Sequence, residues 1–454
     1  MKFVIENAKI FQTKNSKDVI ASIVIENDKI IDIIYKKSIK SDLKKINING
    51  LYLIPGAIDC HTHFRLKIDK NRYNSDDFVS GTKASLSGGI TTIIDFTEGD
   101  EKDADMDLFK RLKDSVGRSF CDFKFHAVIK NLQDNDDLNL RFRKIKKAGL
   151  NSIKIFTTYK ERGLCLDEEN IMKVLYYASK NDITVCVHAE DNSVISYDMK
   201  RYLSNSRKIK LHQFIRSEFS ENYAVYKLLK LNERFRAKIY FVHISSYKSL
   251  EIIKEYQAKG YNVYAEICPQ YFVFDDSIYN RNDSFLYTFT PPVRSKENRI
   301  NILKNLKYFD TVSTDSCAFS FKDKYDFKDD ITKIPMGIFS SYLMISLLYS
   351  FGVKEKRLGF SDFIRLISTN ASNIFSIKGK GEIKKGNFAD FFVFDPSESF
   401  IVKDAGFHNS DYSVYKGFKL WGKVKMSFLR GMLVFDNKNI IISKPQGKFI
   451  KADT

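Results

Sequence analysis

Eight short apolar runs are strung along the middle of this chain: AIDCH, TTIID, FKFHAVI, SIKIF, TVCVH, IYFVH, NVYAEI and DTVSTD. Helical patterns such as DEENIMKVLYYASK and SYKSLEIIKEYQAKG separate several of them. Strand–helix alternation of this kind calls for a parallel sheet. Eight units over about 320 residues suit a closed (β/α)8 TIM barrel with insertions. The alternative is an open doubly wound sheet, but no GxGxxG follows an early strand. The fold expected is therefore α/β.

The chain ends have a different texture. KFVIENAKIF, VIASIVIENDKIIDIIY and KINING alternate apolar and polar residues without a helical period, and a similar pattern returns in GEIKKGNFADFFVFDP and VKMSFLRGMLVFDN. Like texture at both ends predicts one small β-sandwich built from both termini. The expected division is residues 1–53 and 380–454 for the sandwich and its tail, with the barrel over 54–379.

Composition narrows the function classes. The net charge of +18 invites a nucleic-acid reading. The basic residues are mostly lysines scattered among Asp, Asn and Ile, whereas nucleic-acid binders cluster Arg and Lys with aromatics on one element. No nucleic-acid partner is expected. No apolar run reaches membrane-spanning length, and MKFVIENAKIF reads as a strand rather than a secretory signal. The expected location is the cytoplasm. The six cysteines form no CxxC pair and read as buried, reduced thiols.

The chemistry lies where polar residues close the apolar runs. His61 closes AIDCH, His188 closes TVCVH, His243 closes IYFVH and Asp315 closes TVSTD. In a parallel barrel the C-terminal strand ends form one rim, so residues far apart in sequence meet there. His63 follows His61 by two positions and turns to the same side. Only seven histidines occur, and four fall at three of these ends; His126, His212 and His408 are left to structural or surface roles. Lys154 stands between Ile153 and Ile155 in SIKIF and points into the barrel. A buried ammonium is costly unless paired or neutralised. A neutral amine there can take up carbon dioxide as a carbamate and so bridge two cations. Four histidines, one Asp and one such bridge suit two divalent metals, Zn2+ above all. Such a pair lowers the pKa of a shared water.

The segments IPGAIDCHTHF, DDFVSGTKASLSGGITTIIDF, NSIKIFTTYK, VCVHAED, AEICPQYF, FTPPVR and VSTDS resemble the dihydropyrimidinase and hydantoinase branch of the amidohydrolase superfamily over nearly the whole chain. The resemblance implies hydrolysis of a 5,6-dihydropyrimidine or 5-substituted hydantoin to an N-carbamoyl amino acid. It places His61, His63, N6-carboxylated Lys154 and Asp315 on one metal, with Lys154, His188 and His243 on the other. A hydroxide between the metals attacks the ring carbonyl, and Asp315 passes its proton to the leaving nitrogen. Tyr159 stabilises the oxyanion, while the segments of Thr290 and Met336 grip the ring through the main chain. Loops near Phe64, Phe96 and Leu164 shape the substituent pocket. The resemblance also implies a homotetramer, with GKFIKADT packing on a neighbour.

Three positions depart from the family pattern. Met336 stands where Asn is usual, and Ser316 where a rim His is common. Arg65 occupies the place of the carboxylate-binding Arg of dihydroorotases, which suggests an anionic ring substituent. It keeps a dihydroorotase- or allantoinase-like reading open. A scaffold paralogue without metals is the non-enzymatic alternative, and the complete ligand set argues against it.

Overall fold

The computed structural model describes residues 1–12, 17–68, 72–100, 103–130, 132, 137–204 and 206–452. Five strands open the chain: β1 (Lys2–Gln12), β2 (Lys17–Glu26), β3 (Lys29–Ile34), β4 (Lys44–Asn47) and β5 (Tyr52–Pro55). Eight follow in the middle: β6 (Ala57–Asp59), β7 (Ile90–Phe96), β8 (Asp122–Val128), β9 (Ser152–Phe156), β10 (Thr184–His188), β11 (Ile239–Phe241), β12 (Val263–Ile267) and β13 (Thr311–Val312). Four close it: β14 (Phe391–Ile401), β15 (Lys419–Leu429), β16 (Met432–Asp436) and β17 (Asn439–Ile440).

The middle eight form one parallel sheet in strict sequence order, β6 to β13. The seam is shut beyond the strand ends. Thr62 pairs in parallel with Ser316, and the Asp59 carboxylate accepts from the Thr314 N–H at 3.0 Å and its hydroxyl at 2.6 Å. This is the (β/α)8 barrel expected. Its strands are buried on both faces, as in TVCVH, because helices cover the outside. Several of those helices begin at a side-chain cap directly after a rim loop. Asp191 accepts from the N–H groups of Ser193 and Val194, and Ser246 from that of Lys248. In HAED, one tetrapeptide thus ends a strand and starts a helix.

The terminal strands build a separate nine-stranded mixed sheet. The N-terminal half joins the C-terminal half where β5 runs antiparallel to β14. Its core is its own: Phe3, Ile5, Ile23, Ile25, Phe391 and Phe428 pack together. Near the C-terminus, residues 447–452 lie along the barrel of the same chain. Phe123 N–H donates to the Lys448 carbonyl at 2.9 Å, Ile450 N–H returns to the Phe123 carbonyl at 2.8 Å, and the Phe449 ring packs on Phe123 and Phe125. Among the described residues no helix is long and apolar enough to cross a membrane.

Candidate metal centre

A cavity of about 430 Å³ opens at the C-terminal rim of the barrel, lined among others by His61, His63, Lys154, His188, His243 and Asp315. All six ligand candidates thus meet, although 254 positions separate the first from the last in a 454-residue chain. His61 Nε2 lies 3.2 Å from His63 Nε2, and the two lie 3.3 and 3.1 Å from Asp315 Oδ1. Between them Thr62 faces the other way and donates to Asp95 at 2.9 Å, as strand alternation requires. The His188 and His243 rings stand 4.6 Å apart, and the His243 ring is 5.3 Å from that of His61.

The backbone bends to aim these groups. β11 ends at Phe241 and β13 at Val312, so His243 and Asp315 lie two and three residues beyond their strands rather than closing them. Both sit in the left-handed region, with φ of 42° and 50°, as does Tyr159 at 66°. Non-glycine residues held there cost about 1–3 kcal/mol each, and such positions concentrate at functional sites.

Buried acids orient the imidazoles. His61 Nδ1 shares a hydrogen with Glu266 Oε1 at 2.8 Å, and the same oxygen accepts from the His243 main-chain N–H at 2.8 Å. His188 Nε2 meets Glu190 Oε2 at 2.6 Å, with Arg216 behind it at 2.5 Å. Burial works against the Glu190 charge, but Arg216 and His188 outweigh it and hold the carboxyl at about 2. Burial pushes His61, His243 and His188 below the ordinary histidine range, so their rings are neutral and able to ligate. Among the described residues His243 Nδ1 is a buried polar atom without a hydrogen-bond partner. Burial opposes the charge of Asp315 too, yet His61 and His63 keep it below the usual carboxylate range.

Lys154 is 1% exposed, and among the described residues no acceptor bonds its Nζ; Phe96 and Phe156 flank it with ring centroids 5.4 and 5.1 Å away. Burial draws its pKa down to about 8, so a reactive neutral amine is accessible. Each of His61, His63 and Asp315 offers a ligand atom within 4.8 Å of the others, which fits a metal ion, and Lys154, His188 and His243 line the same cavity.

Tyr159 and Thr290 face the same cavity, with hydroxyl oxygens 2.7 Å apart. Burial raises the Tyr159 pKa despite the Arg216 guanidinium over its ring, which keeps the phenol proton available for donation. Met336, Phe96 and Leu164 line the cavity as well.

Three residues singled out in the sequence do not line it. Arg65 turns outward, its Nε 2.9 Å from Asp114 and its guanidinium over Tyr73. The Phe64 ring itself is wholly buried beneath Gly81, where a Cβ would stand 2.3 Å from it, while Leu66, Lys67 and Ile68 of the same loop line the cavity. Ser316 is likewise buried and shares a hydrogen bond with Ser341 at 2.8 Å, so a residue there supports the 340–341 turn rather than the rim. The remaining histidines serve the frame. His126 bonds Ser152 and the Cys60 carbonyl, His212 donates to the Phe289 carbonyl, and His408 pairs with Asp76. Glu266 and Glu190 were the residues missed. The signal was present, since an acid inside the apolar run NVYAEI, or two residues after a strand-end histidine, needs a partner.

A barrel rim carrying clustered imidazoles and a carboxylate defines a metal-dependent hydrolase class, and comparison with known proteins agrees. Residues 52–434 match the amidohydrolase family, and the chain belongs to it. It is 31% identical to a D-hydantoinase of Geobacillus stearothermophilus over 95% of this chain and 93% of the relative. It is 28% identical to a dihydropyrimidinase of Dictyostelium discoideum over 95% of this chain and 87% of the relative. The crystal structure of dihydropyrimidinase from Brevibacillus agri superposes with a TM-score of 0.93 at 29% identity, covering 100% of this chain and 99% of that one.

Proposed function

We propose that this chain hydrolyses a cyclic amide or ureide ring, a 5,6-dihydropyrimidine or a 5-substituted hydantoin, to an N-carbamoyl amino acid. The observation that carries this reading is the meeting of four histidines, Asp315 and an uncompensated Lys154 in one ring-sized cavity. The D-hydantoinase and dihydropyrimidinase relatives support it. His61, His63 and Asp315 would hold one divalent ion, and His188 and His243 a second, with N6-carboxylated Lys154 between them; the imidazole-rich donor set suits zinc. Bound there, the ions supply a nucleophilic water at neutral pH and polarise the ring carbonyl.

The chain's own groups do the rest. Asp315, ionised beside His61 and His63, takes the proton of the attacking water and delivers it to the ring nitrogen as the C–N bond breaks. Tyr159 donates its phenol proton toward the oxygen that gains charge, positioned by its contact with Thr290. Main-chain groups around Thr290 and Met336 hold the ring, so the missing Asn side chain at 336 is tolerated. We read residues 1–53 and 380–454 as one supporting domain and 54–379 as the catalytic barrel. The six unpaired cysteines suit a cytoplasmic, reducing setting. We further expect the subunit to assemble as a homotetramer.

The dihydroorotase-like alternative rested on Arg65, which Asp114 holds outside the cavity. The test is a panel of dihydrouracil, hydantoin, dihydroorotate and allantoin, assayed on protein of known metal content. Ring opening of the first two, with about two metals per subunit, is the expected result. Turnover of dihydroorotate or allantoin alone would overturn the substrate assignment, and a metal-free inactive protein the whole reading.

A further inference from the structure

Behind the cavity wall lies a buried lysine that ring hydrolysis does not use. Lys324 belongs to the short helix Phe321–Tyr325, which Ser320 and Asp323 open with reciprocal caps. It is fully buried, and among the described residues no carboxylate pairs with it. Its Nζ donates to both oxygens of one residue, the Thr288 carbonyl at 2.8 Å and the Thr288 hydroxyl at 2.8 Å. The same carbonyl accepts from the Gly337 N–H at 2.9 Å, and the hydroxyl proton lies between the Phe285 carbonyl at 3.0 Å and the Pro335 carbonyl at 3.2 Å. Thr288 thus knots the segment leading to Thr290 onto the segment carrying Met336 and Gly337. Thr290, Met336 and Gly337 all line the cavity.

A methionine would fill this space without the desolvation cost of an unpaired amine. What lysine adds is a pair of donors aimed at a single residue. Burial brings its pKa down to about 7, in keeping with an amine held for its hydrogen bonds rather than its charge. His212 pins the next carbonyl, that of Phe289, at 2.7 Å, so the 288–290 segment is fastened from behind at consecutive residues.

We propose that Lys324 is a positioning residue for ring binding: through Thr288 it fixes the spacing of the 288–290 and 335–337 segments between which the cyclic amide sits. The inference rests on the cyclic-amide reading above. A purely structural lysine would change stability and leave substrate affinity alone, so the test separates KM from kcat. Lys324→Met, Thr288→Val and Thr288→Ser are assayed on whichever ring the wild type opens, with metal content measured on each. Lys324→Met is expected to keep its metals and raise KM by about 10- to 100-fold with a smaller change in kcat. Thr288→Val should raise KM in the same direction, and Thr288→Ser, which retains the hydroxyl, should stay near wild type. An unchanged KM in folded, metal-replete Lys324→Met overturns the proposal, as does a loss confined to kcat. If Lys324→Met fails to fold, the Thr288 pair decides, and equal KM values for Val and Ser overturn it. A wild type that opens no ring removes the functional reading and this inference together; an active wild type with an indifferent Lys324 removes the inference alone.

Discussion

Two of the buried lysines, Lys154 at the barrel rim and Lys380 at its base, have surroundings that treat them in opposite ways. At the rim, Lys154 points into the candidate metal-site cavity with aromatic rings beside its amine and, among the described residues, no acid bonded to it. At the base, Lys380 lies where the terminal sheet meets the start of β8. Its Nζ is 2.9 Å from Asp122 and also in contact with Asp390, and Arg430 pairs with Asp122. Burial acts against both ammonium groups. At Lys380 the two aspartates more than offset it and hold the pKa above the ordinary lysine value, whereas at Lys154 burial prevails. A paired buried charge is a structural fastening. An unpaired one is a standing cost, and its presence beside the candidate metal ligands is what supports a functional reading of Lys154.

The largest expected effect tests the rim. Lys154→Met should lower turnover by more than about a thousandfold and reduce bound metal, because the bridging group is lost. The same change should leave the metal-free protein at least as resistant to urea as the wild type, since it removes an uncompensated buried amine. Reconstitution of chelator-treated wild type should be faster with bicarbonate than in carbon-dioxide-free buffer. Full metal retention by Lys154→Met would break the contrast at its functional end.

The base should behave in reverse. Lys380→Met leaves Asp122 to Arg430 and the Lys448 N–H, and Asp390 to the Arg430 N–H alone, and breaking a buried pair costs about 3–5 kcal/mol. Denaturant unfolding should show that loss, while turnover per folded, metal-loaded molecule stays near wild type. A variant of unchanged stability would mean that the two lysines are not opposites.

The sequence displayed much of this and hid the rest for definable reasons. The barrel was legible because eight apolar runs are a local pattern, and the residues that line the cavity because donors stand at the ends of such runs. The inward turn of Lys154 followed from strand alternation. What could not be read were orientations set by partners distant in the chain. Arg65 faces out because Asp114 stands beside it, and Phe64 faces in because Gly81 leaves room for its ring. The bends that aim His243 and Asp315 begin where β11 and β13 stop short, which no apolar pattern marks. Glu266 and Glu190 were visible as acids in or beside apolar runs, but their roles as imidazole partners appear only when the barrel closes.

Lys324 offers the smallest effect and the finest test of the same contrast, because its protonation should be written into the pH dependence of stability. Its folded pKa of about 7 lies below the ordinary lysine value of 10.5. Below about pH 7 both folded and unfolded chains carry the proton, and the cost of burying it is present in full. Between those values the unfolded chain binds the proton and the folded one does not, so stability rises with pH. Lys380 has the opposite sign: its pKa is raised, so its contribution is complete below the ordinary lysine value and fades only above it. The difference in unfolding free energy between wild type and Lys324→Met should therefore shift in favour of the wild type as pH rises from about 7 to about 9. The slope should be at most about 1.4 kcal/mol per pH unit. The corresponding difference for Lys380→Met should stay flat over that range. Parallel curves for wild type and Lys324→Met would show that the Lys324 amine keeps its proton, and would move it into the company of Lys380.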